Sequence, residues 1–142
     1  LSASYGYTDA NFKSFKNANS AGDDYSGNVL PYAAKNSIHA AATYAAPIGG
    51  SLTLQGRIEG NWRDHVYFDP SNDPIATQDG YTTVDARVEL SAQAGWSVAL
   101  WGRNLTDETY ALSRTAGVIV PGQYTQQLGA PRTYGIEVGY GF

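Results

Sequence analysis

Cysteine and methionine are both missing from this chain of 142 residues. Without thiols there is no disulfide framework, no thiolate nucleophile and no cysteine-ligated metal. A chain that opens Leu1-Ser2-Ala3-Ser4 and carries no methionine is expected to be part of a longer product, not a primary translation product. It has no charged-then-apolar leader, and no apolar run approaches the roughly 18 residues of a membrane helix. Basic residues number nine against thirteen acids, a net charge of −4, and form no run, so no nucleic-acid partner is expected. The only imidazoles, His39 and His65, lack partners at ligand spacing, so no metal is expected. No Gly-x-Ser-x-Gly elbow occurs, and neither a catalytic residue nor a cofactor is expected.

Tyrosine (eleven) and glycine (sixteen) are plentiful, and the apolar residues follow a period of two. In the last nine residues Tyr134, Ile136, Val138, Tyr140 and Phe142 fall on one side of an extended strand. Gly135, Glu137, Gly139 and Gly141 fall on the other, since successive side chains of a strand point to opposite faces. A final strand with aromatics at both ends of its apolar face and an aromatic terminus has the pattern of a closing outer-membrane barrel strand.

Five further strands read the same way. The first runs from Leu1 to Tyr7, the second from Ser37 to Tyr44, and Ala46 to Gly50 turns into the third. The third sets Leu52, Leu54, Ile58 and Trp62 against Arg57, Glu59, Asn61 and Arg63. The fourth sets Val84, Ala86, Val88 and Leu90 against Asp85, Arg87 and Glu89. After a short turn at Ala92 to Gly95, the fifth sets Trp96, Val98 and Leu100 against Trp101 and Arg103, continuing through Asn104 to Tyr110. Polar stretches at 17–28 and 69–80, and a third at about 115–130, read as long loops. No helical period is sustained, so the prediction is an all-β antiparallel meander of about six strands.

Long and short connections alternate, as outer loops and periplasmic turns do in a transmembrane barrel. Every charge within the strand cores lies on one face: Arg57, Glu59, Arg63, Asp85, Arg87, Glu89, Arg103 and Glu137. A lipid-facing Arg or Lys at mid-bilayer costs about 2–4 kcal/mol, so these eight are expected on the wall of a wet lumen. Tyr44, Trp62, Trp96, Tyr134 and Tyr140 sit near strand ends, where membrane interfaces favour amphipathic rings.

The run Trp101-Gly-Arg-Asn-Leu-Thr-Asp-Glu-Thr-Tyr110 resembles the penultimate strand of TonB-dependent outer-membrane receptors, with its Asn-Leu-x-Asp-x-x-Tyr motif at Asn104, Leu105, Asp107 and Tyr110. The Gly-x-Pro-Arg-x-Tyr-Gly of their last strand has counterparts in Gly129, Pro131, Arg132, Tyr134 and Gly135, and the ending on Phe in Phe142. Upstream, residues 4–10 and 30–35 are similar to late strands of the same family. The resemblance implies the carboxy-terminal part of a transmembrane β-barrel in a Gram-negative outer membrane, with the plug and earlier strands absent. Such receptors import scarce nutrients: ferric siderophores, haem, cobalamin or oligosaccharides. The implied partners are the lipid bilayer, the remaining barrel and plug, and a TonB-type energy-coupling protein engaged through the missing amino-terminal part. The barrel-assembly machinery would read Tyr134, Ile136, Val138, Tyr140 and Phe142.

Six strands cannot close alone, because single-chain barrels start at about eight. The alternative expectation is therefore a detached piece that pairs with copies of itself, as an oligomeric barrel or a cross-β fibril without transport activity. Outer-loop aromatics Tyr32, Tyr67, Phe68 and Tyr124 are weak candidates for ligand contact. Asp69-Pro-Ser-Asn-Asp73 lacks the central glycine and closing glutamate of a calcium loop and reads as a solvated outer loop.

Overall fold

The computed structural model describes residues 1–116 and 123–141. Ten strands follow one another: β1 (Ser2–Tyr7), β2 (Asn36–Ile48), β3 (Leu52–Arg63), β4 (Val66–Tyr67), β5 (Thr77–Gln78), β6 (Tyr81–Ala92), β7 (Trp96–Arg103), β8 (Ala111–Ala116), β9 (Tyr124–Leu128) and β10 (Thr133–Tyr140). Six of them form one sheet in the order β1-β2-β3-β6-β7-β10, each strand antiparallel to the next. This is the predicted meander: an uncurtailed wall, all-β, open at β1 and β10. The two remaining pairs, β4–β5 and β8–β9, are small separate sheets within the long connections.

Strand length follows the period-two stretches. β3 and β6 each hold twelve residues, enough to cross a hydrocarbon layer when tilted. Their turns are short and glycine-dependent. Gly49 and Gly50 have φ of 56° and 64°, and Gly95 has φ of 90° with the Gly141 carbonyl lying where a Cβ would go. The Gly141 amide donates to Gly95 O at 2.7 Å, so the end of β10 is pinned beside the β6–β7 turn.

Three sequence expectations are corrected. β7 stops at Arg103 and does not continue through Asn104 to Tyr110, because Asn104 and Asp107 adopt φ of 49° and 56° and turn the chain. The stretch at about 115–130 is not wholly loop: β8 (Ala111–Ala116) and β9 (Tyr124–Leu128) pair antiparallel. β2 also runs past Tyr44 and through Pro47 to Ile48. β1 reaches only to Ala41 of β2, so beyond that point one side of β2 is an edge, where a proline is tolerated.

Among the described residues no core lies between two layers. The buried apolar residues are few, and the cluster of Val66, Phe68 and Ala111, flanked by Ala34, sits among the long connections. On the sheet itself Tyr134, Ile136, Val138 and Tyr140 are between 65 % and 80 % exposed, and Tyr44, Ile58, Val88 and Leu100 are exposed with them. A water-soluble sandwich would cover such a face with a second sheet. Here an apolar face spans all six strands, and among the described residues no second sheet covers it.

Candidate functional site

Register fixes which side chains share the opposite face. Arg57 stands across from Arg87, and Glu59 from Asp85. Glu89 pairs with Ala99, and Ala99 with Glu137. Arg63, at the loop end of β3, and Arg103, at the loop end of β7, keep the same parity. All eight predicted charges therefore lie on one face, together with Trp101, His39 and Asn61.

Directly opposed like charges destabilise a strand pair. The two central arginines resolve this by diverging. Arg57 binds Glu59, two residues towards the loop end. Arg87 turns the other way, to Glu89 at 2.7 Å and across to Glu137 at 2.8 Å. Asp85 accepts the Asn104 amide at 2.8 Å, and the Arg103 guanidinium lies 5.7 Å from the Trp101 ring. The result is a depression of about 240 Å³, lined by Arg57, Glu59, Arg87, Trp101, Arg103 and Glu137. Arg63 stands apart and donates to Tyr32 O at 3.3 Å.

Arg63 belongs to a larger recess of about 570 Å³ nearer the loops, shared with His39, Asn61, Tyr32, Tyr81 and Tyr110. His39 Nδ1 lies 2.8 Å from Asn61 Oδ1. Tyr81 and Tyr110 stack face to face, centroids 4.3 Å apart and planes 14° apart. Sequence reasoning did not single out this pair as a contact surface. The signal for Tyr81 was present, since counting back by twos from Arg87 places it on the charged face. Tyr110 stands out in the sequence as the last residue of the Asn-Leu-x-Asp-x-x-Tyr motif, but nothing local places it beside Tyr81.

The four loop aromatics do not form one cluster. Tyr32, with φ of 65°, leans on Phe68 at 5.4 Å and keeps half its surface exposed. Phe68 is only 7 % exposed and serves the loop core with Val66 and Ala111. Tyr67 meets the His65 ring edge-on at 4.8 Å, and His65 also approaches Asp79 at 3.4 Å. Tyr124 reaches instead to the 69–76 segment and donates its hydroxyl to Asp73. That hydrogen bond, with the Ile75 amide, holds the Asp73 carboxyl below the usual carboxylate range. Asp73 in turn raises the Tyr124 phenol above the usual tyrosine value. The carboxylates of Asp69 and Asp73 thus accept from Ser71 N, Ile75 N and Tyr124 rather than facing one another as a cation cage.

The 69–76 segment joins the long connections. Asn72 pairs with both backbone groups of Val29, and Asn28 donates to Pro70 O at 3.0 Å. On its other side Arg114 of β8 donates to Ile75 O, and the Ala111 amide to Gln78. Charge is partitioned between this layer and the sheet. Four positive and four negative residues balance on the sheet face, while the long connections hold nine acids and five bases. The tight turns carry no charged residue.

At the top of β7 and β10 the chain knots. Asn104 is 5 % exposed, the one buried polar residue among those described. Its Nδ2 donates to Glu108 O at 2.9 Å and Ala130 O at 3.1 Å, while its Oδ1 accepts from the Glu108 amide and the Thr106 hydroxyl. Asp107 binds Arg132 at 3.0 Å. Tyr110 O accepts from the Gly129 amide, and the Tyr110 ring occupies the space a Cβ at 129 would need. The two motif halves, far apart in sequence, therefore close on each other. Of the final apolar stripe, Tyr134, Ile136, Val138 and Tyr140 lie on the uncovered face; Phe142 falls outside the described residues.

Comparison with known proteins follows this geometry. Residues 1–105 match the family described as TonB dependent receptor-like, beta-barrel. Among solved structures, the ferric yersiniabactin uptake receptor FyuA from Yersinia pestis is similar with a TM-score of 0.73 and 22 % identity, over 84 % of this chain and 18 % of that one. BauA, the ferric preacinetobactin receptor from Acinetobacter baumannii, is similar with a TM-score of 0.62 and 23 % identity, over 82 % of this chain and 16 % of that one. At such identities the likeness establishes the fold, and the chain spans less than a fifth of either receptor. The family match covers most of the chain, and the six-stranded meander has the fold of solved receptor barrels: this chain belongs to the TonB-dependent receptors, as part of their β-barrel.

Proposed function

We propose that these residues are the carboxy-terminal wall of an outer-membrane TonB-dependent receptor that imports a ferric siderophore. The observation that carries the membrane part is the segregation of the sheet. One face is apolar, ringed and uncovered, and the other holds every charge of the spanning strands. In lipid an unsatisfied backbone group costs several kcal/mol, so the open edges of β1 and β10 call for the remaining barrel strands. On this reading the charged face is the lumen wall around a plug, and Tyr32 and Tyr67 stand on the outer rim where a ligand enters. The assembly machinery reads the stripe from Tyr134 to Phe142, and a TonB-type protein pulls from the periplasm through the preceding part of the receptor. The choice of iron chelate over haem, cobalamin or sugar rests on FyuA and BauA, both ferric-chelate receptors.

The absence of cysteine from these 142 residues permits a direct test in the receptor once any other cysteine is changed to serine. Single cysteines are placed in the receptor at Val88, Leu100 or Ile136 on one face and at Thr43, Thr83 or Ser97 on the other. In outer-membrane vesicles a fluorophore attached at the first set should be quenched by lipid-borne nitroxide, and the second set should be labelled by a water-soluble maleimide. Equal aqueous labelling of both sets would overturn the membrane reading. Uptake of iron-55 chelates by cells lacking other receptors, compared with haem and cobalamin, tests the cargo. Uptake of haem or cobalamin alone would overturn the choice of chelate.

A further inference from the structure

The recess at the loop end of the wall differs from the depression beneath it in how its charge is used. In the depression Arg57 and Arg87 are each bound to carboxylates of the same wall. The recess is lined by no Asp or Glu, and Arg63 is its one guanidinium. Arg63 gives one N–H to Tyr32 O at 3.3 Å, and no carboxylate among the described residues pairs with it. A guanidinium carries five N–H donors, so most of this one's capacity is not taken up by the wall.

Register sets an aromatic ring beside it. Arg63 stands directly across from Tyr81, on the same face of β3 and β6. Tyr81 stacks on Tyr110, and the Tyr110 ring is held in turn against Gly129, where a Cβ would collide with it. Tyr81 is therefore a backed ring, and a ligand that met it would lose little free energy to ordering it. Tyr32 lines the recess as well, with a φ of 65° that is an outlier for so bulky a residue. Its amide donates to Tyr67 O at 2.8 Å and its carbonyl accepts from Arg63, so the strained turn is held from both sides. Backbone strain of this kind gathers at ligand clamps.

We infer, on the reading of the chain as part of a ferric-chelate receptor, that this recess seats an aromatic ring bearing an anionic oxygen. The ring lies against Tyr81 and the oxygen accepts from Arg63, which narrows the cargo to chelates built on aryl oxygens, catecholate or phenolate. The volume of about 570 Å³ falls in the roughly 300–1,000 Å³ range of small-molecule sites. A ringless anion would meet Arg63 but leave Tyr81 unused, and a cationic chelate would face a like charge. Arg63 acts at contact range, because the long connections around it hold more acids than bases.

The full receptor, in outer-membrane vesicles and with any other cysteine changed to serine, is offered three iron-55 complexes: ferric catecholate, ferric citrate (anionic and ringless) and ferrioxamine (cationic and ringless). Ferric catecholate should bind tightest. Arg63→Gln should weaken its binding about tenfold or more, as loss of a charge-assisted hydrogen bond does. Tyr81→Leu should weaken it about three- to tenfold through lost stacking and leave ferric citrate unchanged. Place is read by protection: ferric catecholate should slow maleimide labelling of Thr83→Cys, which lines the recess, and not of Ser97→Cys at the turn end of β7. Slower migration of each boiled sample than of the unboiled one confirms that a barrel has formed. Tighter binding of ferric citrate or ferrioxamine, or catecholate binding unchanged in Arg63→Gln, would overturn the inference. So would Thr83→Cys closed to maleimide before any chelate is added, since the plug would then fill the recess. If Arg63→Gln does not assemble, the protection of Thr83→Cys decides, and undiminished labelling under saturating catecholate would overturn the inference. Whether any ferric chelate is imported is read separately by the uptake assay, so the receptor reading and this one fail independently.

Discussion

A single hydroxyl on a single carboxylate shows how the long connections are held. Tyr124 and Asp73 tie the β8–β9 pair to the 69–76 segment, which in turn grips Val29 through Asn72. The folded Asp73 titrates below its ordinary value, so its stabilising contribution is present above that value and is lost as pH falls through the depressed one. Tyr124 titrates above its ordinary value, so its contribution is present below that value and is lost as pH rises through the raised one. Protease nicking within residues 69–80 should therefore stay low and flat across neutral pH and rise at both extremes. In Tyr124→Phe it should be faster throughout, and the alkaline limb should disappear. A Tyr124→Phe variant nicked at the parental rate would mean that Arg114 and Gln78 hold the pair unaided.

At the level of strands, faces carry the energetics. Val88 is central in β6 and exposed on the apolar side. Val88→Lys should lower the stability of the vesicle-inserted barrel by about 2–4 kcal/mol, read from denaturant titration, whereas Thr43→Lys on the charged face should change it far less. Similar losses for both would mean that lipid does not cover the Val88 face. Faces were also what the sequence displayed best. Alternation over Leu52–Trp62 and Val84–Leu90 announced two wall strands, and parity alone put all eight charges together. Alternation fails where local tertiary demand takes over. Asn104 and Asp107 sit in a run that reads as strand, yet their left-handed backbone serves the knot. β8 and β9 are short and mostly polar, and they pair with each other rather than with the wall, so no apolar stripe marked them. Tyr81 and Tyr110 meet only because β6 and the knot converge, a contact no local pattern encodes.

Taken whole, the chain has two faces and almost no interior. Its largest apolar surface faces outward, and two edges offer unpaired backbone. Isolated in detergent, these 142 residues should not give a monomer whose migration changes on boiling. They should associate through β1 and β10, and electron microscopy would show rings or filaments; a discrete heat-modifiable monomer would contradict this. The charge partition has its own consequence. The spanning sheet is neutral, and the entire surplus of four negative charges is carried by the long connections. That end behaves as a small cation exchanger, gathering counter-ions within a Debye length of about 10 Å at 0.1 M salt, and further out as salt is diluted. Two solutes of equal size but opposite charge would therefore arrive at this surface at different frequencies, and that difference would fade as salt is added.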